Sequence, residues 1–183
     1  MMKKGWILLT AFLFTTSSHT VSDLFSAKAP SFSEILKPYN TISPFMSRLL
    51  QLKEQDLQKE LEKLWLLGKQ GRLPMIENDP LEKGYRFITL VYRDDSGKKV
   101  GFDVFGIYDE TCFGDMQLRR LKKTDFHYRC FKVPKDICFS YRFKVTDPKT
   151  GKTAVLTDPF NPNRIPSSLS RNLSYSVLDL NEG

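Results

Sequence analysis

The sequence predicts a mainly β protein, a sandwich of short antiparallel strands preceded by one amphipathic α-helix. Three observations predict it. From residue 85 onward apolar residues recur with a period of two. Clusters of Gly, Pro, Asp and Ser cut those runs into short strands. Only residues 45–67 carry a helical period instead. A content of 14 Phe and 7 Tyr in 183 residues suits aromatic-rich strands and argues against disorder, and the length suits one hydrophobic core.

Residues 1–29 read as a signal peptide. Lys3 and Lys4 precede the apolar run from Gly5 to Thr16, and the small polar residues Ser17 and Ser18 follow. The run is about a dozen residues, short of the roughly 20 needed to cross a bilayer, so no stable membrane anchor is expected. No Cys precedes Cys112, which excludes a lipid anchor on a Cys after the signal. Cleavage is expected after Ala27-Lys28-Ala29, where Pro30 follows awkwardly, or near Thr16-Ser17-Ser18; a hydrophobic helix packed on the domain is the alternative. The segment implies a periplasmic or secreted protein.

Residues 30–44 form a polar, Pro-containing arm or linker. Ser43 then caps a helix with Pro44 at its first position, where a missing N–H costs nothing. Leu50, Leu57, Leu61, Leu64 and Trp65 share one face, and Lys53, Glu54, Lys59, Glu60 and Lys63 supply the wet side. That stripe can bury against a sheet or against another chain, and Trp65 is read as core. Gly68, Gly71 and Pro74 end the helix, and residues 71–77 are a connector.

Strands are predicted at 85–93, 100–108, 126–133, 137–145, 153–156 and 174–180. The turn at 94–98 pairs the first two as a hairpin, and Pro134-Lys135-Asp136 pairs the next two. In the strand from 137, Phe139, Tyr141, Phe143 and Val145 alternate with Cys138, Ser140, Arg142 and Lys144, so one face is buried and one wet. Six short strands with one helix suggest an immunoglobulin-like sandwich, with residues 45–183 as the domain.

The net charge is +7, but the basic residues are interleaved with Asp and Glu, as on a solvated surface. Bases and aromatics are too few and too irregular to predict nucleic-acid binding. Cys112, Cys130 and Cys138 include no Cys-x-x-Cys pair, and the histidines are His19 and His127, so neither a metal site nor any cofactor is expected. Cys130 and Cys138 flank the Pro134 turn almost symmetrically; strand register decides between a disulfide and buried free thiols. Asp158-Pro-Phe-Asn-Pro162 reads as a rigid turn, each Pro extending the residue before it.

From Trp65 onward the sequence resembles the N-terminal domain of the enterochelin (enterobactin) esterase family. The resemblance rests on Gly71-Arg-Leu-Pro-Met-Ile-Glu77, Ile88-Thr-Leu-Val-Tyr-Arg93, Met116-Gln-Leu-Arg-Arg-Leu-Lys-Lys-Thr-Asp125 and Val133-Pro134. It continues through Ser140-Tyr-Arg-Phe143, Thr157-Asp-Pro-Phe-Asn-Pro162 and Ser176-Val-Leu-Asp-Leu180, in order over about 115 residues. It implies an early-set, immunoglobulin-like β-sandwich placed before an α/β-hydrolase domain that cleaves ferric enterobactin and helps release iron. It also implies that the loop at Asp158–Pro162 leads toward the interdomain side.

The sequence reaches Gly183 about where that family's hydrolase domain begins, so the catalytic half is expected to be missing. No Gly-x-Ser-x-Gly elbow occurs, and His127 has no Ser or Asp placed around it in a recognisable order. The expected function is therefore a non-catalytic accessory domain, with catalytic residues none, acting with a separate or lost hydrolase. Arg119, Arg120, Lys122 and Lys123 are the candidate ligand site: an anionic ferric siderophore suits Arg forks and Lys charges, with Phe126 and Tyr128 nearby for stacking. A solvated turn is the plainer reading of that cluster. The alternative function is an exported immunoglobulin-like module that binds a protein or a glycan. Family members are usually cytoplasmic, unlike the export predicted here.

Overall fold

A computed structural model of the chain describes residues 41–105, 117–166 and 174–181. The expected signal peptide, most of the arm and Cys112 lie outside the described residues.

The chain enters through two helices, α1 at Pro44–Gln51 and α2 at Glu54–Lys69, where the sequence predicts one. Leu52 and Lys53 between them are extended. The reason lies in the apolar stripe. In an unbroken helix the stripe through Met46 and Leu49 would run over position 53 before reaching Leu57, carrying a lysine into the core. The break leaves Lys53 in water, while Phe45, Met46 and Leu49 pack from α1 and Leu57, Leu61, Leu64 and Trp65 from α2.

The first cap is as the sequence predicts: Ser43 Oγ accepts from Met46 N–H at 3.2 Å, with Pro44 at the first helical position. Glu77 adds a second, accepting Phe45 N–H at 2.9 and 3.2 Å on its two carboxylate oxygens. A negative charge at this end also suits the helix dipole.

Nine strands follow among the described residues: β1 Met75–Asn78, β2 Tyr85–Arg93, β3 Lys99–Phe105, β4 Arg119–Arg120, β5 Phe126–Pro134, β6 Cys138–Thr146, β7 Thr153–Leu156, β8 Arg164–Pro166 and β9 Ser174–Asp179. They make two antiparallel sheets, ordered β1-β2-β5-β4 and β3-β6-β9-β8. β6 pairs with β3 along one edge and divides its other edge between β9, at Cys138–Tyr141, and β7, at Phe143–Thr146. This is the predicted β-sandwich preceded by a helical segment. The segment 71–77, read as a connector, contributes most of β1, which pairs with β2 from Met75↔Thr89 to Asn78↔Arg86.

The pairing of consecutive strands differs from prediction. β2 and β3 lie in different sheets, as do β5 and β6, so neither expected hairpin forms. Each turn is instead an arch that carries the chain from one sheet to the other. The inward residues explain why: Ile88, Leu90, Phe131 and Val133 of the first sheet meet Val100, Phe102, Phe139, Tyr141, Phe143 and Val145 of the second in one dry cluster. An arch lets both strands bury an apolar face against each other, whereas a hairpin would set those faces side by side. Phe102 and Phe131 meet edge-on across this core at 5.2 Å.

The outer face of the first sheet is dry as well. Val91, Phe126 and Cys130 pack beneath α1 and α2, which gives three layers. Cys130 is buried there as a free thiol, whereas Cys138, at the start of β6, is exposed and free. The sheet assignment thus rules out the hairpin disulfide. In iodoacetamide mapping of the native protein, Cys138 should be alkylated readily and Cys130 only after denaturant is added. A Cys130–Cys138 linked peptide would contradict the two-sheet assignment.

Candidate functional site

The four cations singled out in the sequence fall on one short stretch but do not converge. Arg119 and Arg120 form β4, the outer strand of the first sheet, opposite Tyr128 and His127 of β5. Neighbouring residues on a strand project to opposite faces, so the two guanidinium groups leave in different directions. Arg120 Nε donates to Thr124 O at 2.5 Å and ties the turn. Lys122 adopts a positive φ of 49°, and its ammonium donates to Leu52 O at 3.0 Å, the carbonyl exposed by the helix break. Arg119, Arg120, Lys122 and Lys123 are all exposed at residue level.

The expected aromatic partners are placed otherwise. Phe126 is fully buried against Trp65, with ring centroids 5.6 Å apart, and so belongs to the helix layer and not to a ligand platform. Tyr128 is half-buried beside it. Trp65 is core, as the sequence predicts: it also stacks on Phe160 at 5.6 Å and lies under the Arg93 guanidinium at 5.4 Å.

His127 is on the inward face of β5 and buried, and its Nδ1 has no hydrogen-bond partner among the described residues. Burial pushes its pKa below the usual imidazole value; Asp94 opposes this shift and the Arg120 charge adds to it. Among the described residues no three His, Cys, Asp or Glu side chains gather as metal ligands.

The most developed polar cluster is at Asp158–Pro162, a stretch that the sequence alone presents as a rigid turn. Asp158, Asn161 and Ser176 are buried together with Tyr141. Tyr141 donates its hydroxyl to Asp158 Oδ2 at 2.6 Å, and Phe160 N–H donates to Oδ1 at 2.9 Å. Asn161 Nδ2 donates to Tyr141 Oη at 3.3 Å and to Val177 O at 2.9 Å, while Asp158 N–H donates to Ser176 Oγ at 2.9 Å. Burial raises the pKa of Asp158 above the ordinary carboxylate value and that of Tyr141 well above the ordinary phenol value.

This hub fixes a loop whose outer parts reach the helix layer. A Cβ at Gly68 would stand 2.7 Å from Phe160 Cδ1, so α2 and the loop approach as closely as they do only because position 68 has none. Residues 71–76, 161–163 and 177–179 then line a cleft of about 320 Å³ beside the hub. Alternation and turn chemistry mark each of these segments separately in the sequence. Nothing in their spacing says that they meet.

No protein-family model matches the chain, and no curated protein matches it. Among solved structures, the enterobactin esterase from Shigella flexneri crystallised in the presence of enterobactin is 16% identical, covering 58% of this chain and 33% of that one, with a TM-score of 0.43. The ferric enterobactin esterase from Salmonella typhimurium is 17% identical over 57% of this chain and 33% of that chain, with a TM-score of 0.44. The enterochelin esterase from Shigella flexneri is 18% identical over 57% and 32%, with a TM-score of 0.43. The matched part thus spans about a third of those enzymes.

Tyr141→Phe should destabilise the domain by about 1–3 kcal/mol, because it leaves the Asp158 carboxylate short of a donor in a dry site; urea denaturation measures the loss. For His127 the folded pKa lies below the unfolded value of 6.5, so the unfolded chain takes up the proton first and stability falls as pH drops below that value. Denaturation midpoints at neutral pH and about one to two units lower should therefore differ less in His127→Gln than in the parent.

Proposed function

We propose that the chain is a non-catalytic accessory domain of the enterochelin-esterase type, acting in ferric-siderophore hydrolysis and iron release through a hydrolase domain that it docks. One observation carries this reading: segments that make the sequence resemble that family meet at one place. Residues 71–76, 161–162 and 177–179 come from three of those stretches and, with Asn163, line a single cleft. The buried Tyr141–Asp158–Asn161 hub holds that cleft from below, so a partner would meet a preformed surface.

The surroundings suit a protein partner. β1 and β8 are the outer strands of their sheets, and they carry Ile76 and Ile165 at 41% and 46% exposure. Apolar side chains on sheet edges are a usual feature of surfaces that another chain covers. In the same reading Arg119, Arg120, Lys122 and Lys123 attract the anionic siderophore toward the assembly, as an electrostatic field at one end of the sandwich and not as a fitted pocket. The segment Met1–Ala29 exports the chain, and its hydrolase partner shares the periplasmic or extracellular space.

The test has two measurements on the purified chain. Enterobactin hydrolysis should not exceed background, because acyl transfer needs a nucleophile, a base and an oxyanion site together. Turnover in proportion to chain concentration would overturn the non-catalytic reading. Calorimetric titration with ferric enterobactin should show weak binding at low salt that fades near 0.1 M ionic strength, where screening acts within about 10 Å. Replacing the four cations by Gln should remove that heat; no heat at low salt would remove the siderophore role of the cluster.

A further inference from the structure

A second cationic site lies at the other end of the sandwich. β2 pairs with β5 from Tyr85↔Pro134 to Arg93↔Phe126, and Arg119 and Arg120 attach near the Arg93 end. At the Tyr85 end, roughly 25 Å away at about 3.3 Å per residue, loops from separate parts of the chain enclose a polar cleft of about 390 Å³. Lys83, Arg86 and Lys135 stand in its wall.

The fold brings the segments that carry these three together and holds the Arg86 side chain in place. Lys135 N–H donates to Gly84 O at 2.9 Å, which joins the β5–β6 arch to the turn before β2. Arg86 Nη1 donates to Leu180 O at 3.3 Å, which holds the guanidinium at the end of β9. Of the acidic groups in the wall, Asp79 is already occupied. Lys132 Nζ lies 2.5 Å from its Oδ2, and Leu81 and Glu82 N–H donate to Oδ1 at 2.8 and 3.3 Å. Asp136 is exposed. Among the described residues Lys83, Arg86 and Lys135 take part in no ion pair.

We propose that this cleft binds a small multivalent oxyanion carrying carboxylate or phosphate groups. With Asp79 paired to Lys132, the wall holds three cations against the single exposed carboxylate of Asp136, an excess of positive charge that suits an anion with two charged groups. Arg86 offers the fork that carboxylate and phosphate share, and the two lysines supply point charges on either side. A single inorganic phosphate would engage only part of that wall. The site is independent of the accessory reading and of Arg119, Arg120, Lys122 and Lys123, so each can fail without the other.

The experiment is calorimetric titration of the whole chain with phosphate, pyrophosphate and citrate at low salt and at about 0.15 M salt. Pyrophosphate or citrate should bind more tightly than phosphate, and their order identifies phosphate or carboxylate as the preferred group. Lys83→Gln with Lys135→Gln should weaken binding about tenfold or more, the scale of one lost charge-assisted hydrogen bond. Arg86→Lys, which keeps the charge and loses the fork, should weaken it less. Lys149→Gln with Lys152→Gln removes the same charge from an exposed turn and should leave binding unchanged, and thermal midpoints confirm that each variant is folded. No heat with any of the three anions at low salt, undiminished binding in the Lys83/Lys135 variant, or equal loss in the Lys149/Lys152 variant would overturn the proposal.

Discussion

Five consecutive residues of β2, Phe87 to Val91, are buried, and on a strand that means both faces of the sheet are dry. Inward, Ile88 and Leu90 face the second sheet; outward, Val91 faces the helices. An antiparallel sheet can ordinarily leave one face to water, and this one does not. The helical segment is therefore part of the core and not an appendage. Much of the remaining detail secures it: Ser43 Oγ lies 3.0 Å from Thr89 Oγ1 beneath α1, Glu77 caps α1 from β1, and Trp65 reaches Phe126 and Phe160. Thr89 is the one polar residue in that dry stretch, and Ser43 and Cys130 meet its hydroxyl.

What the sequence made legible is local. Alternation locates β2, β5, β6 and β9 almost to the residue, because one or both faces of each are buried, and the Asp147–Gly151 turn marks the start of β7, which is largely exposed. The Ser43-Pro44 cap was equally readable. The helix break was not, since neither Leu52 nor Lys53 is a helix breaker and the reason for extending them lies in where α1 and α2 must each point. β1, β4 and β8 are not legible because they are short outer strands with no buried residue to mark a face and, for β1, sit in a stretch that reads as a connector. The arches were misread for a different reason. A turn with Gly or Pro reverses the chain equally well within a sheet or between sheets, and only the facing core decides between them.

The candidate site divides in the same way. A run of basic residues is visible in a sequence, but its consequence depends on what each side chain does, and here Lys122 and Arg120 hold their own turn together. Asp158-Pro-Phe-Asn-Pro162 reads as a rigid turn from its prolines alone, and the structure adds tertiary hydrogen bonds to that local constraint. Tyr141 comes from β6, Ser176 from β9 and Gly68 from α2, and each meets the loop at a different point. A buried carboxylate among neutral partners is costly unless hydrogen-bonded, and the Tyr141 hydroxyl and Phe160 N–H each donate to one of its oxygens. The loop thereby couples the helix layer to the second sheet, and the cleft that it borders inherits that fixed geometry.

The two arches have a further effect through the order of strands along the chain. The first sheet draws on residues 75–93 and 119–134, and the second on 99–105 and 138–179, so the sheets alternate in sequence although they are separate in space. No contiguous fragment contains one sheet without interrupting the other. A nascent chain therefore cannot complete either layer until most of the domain has been synthesised, and a cut between β3 and β4 separates β2 from β5 and β3 from β6. Stability is held in common by the whole sandwich, so its loss is an all-or-none event and not the peeling of one layer from the next.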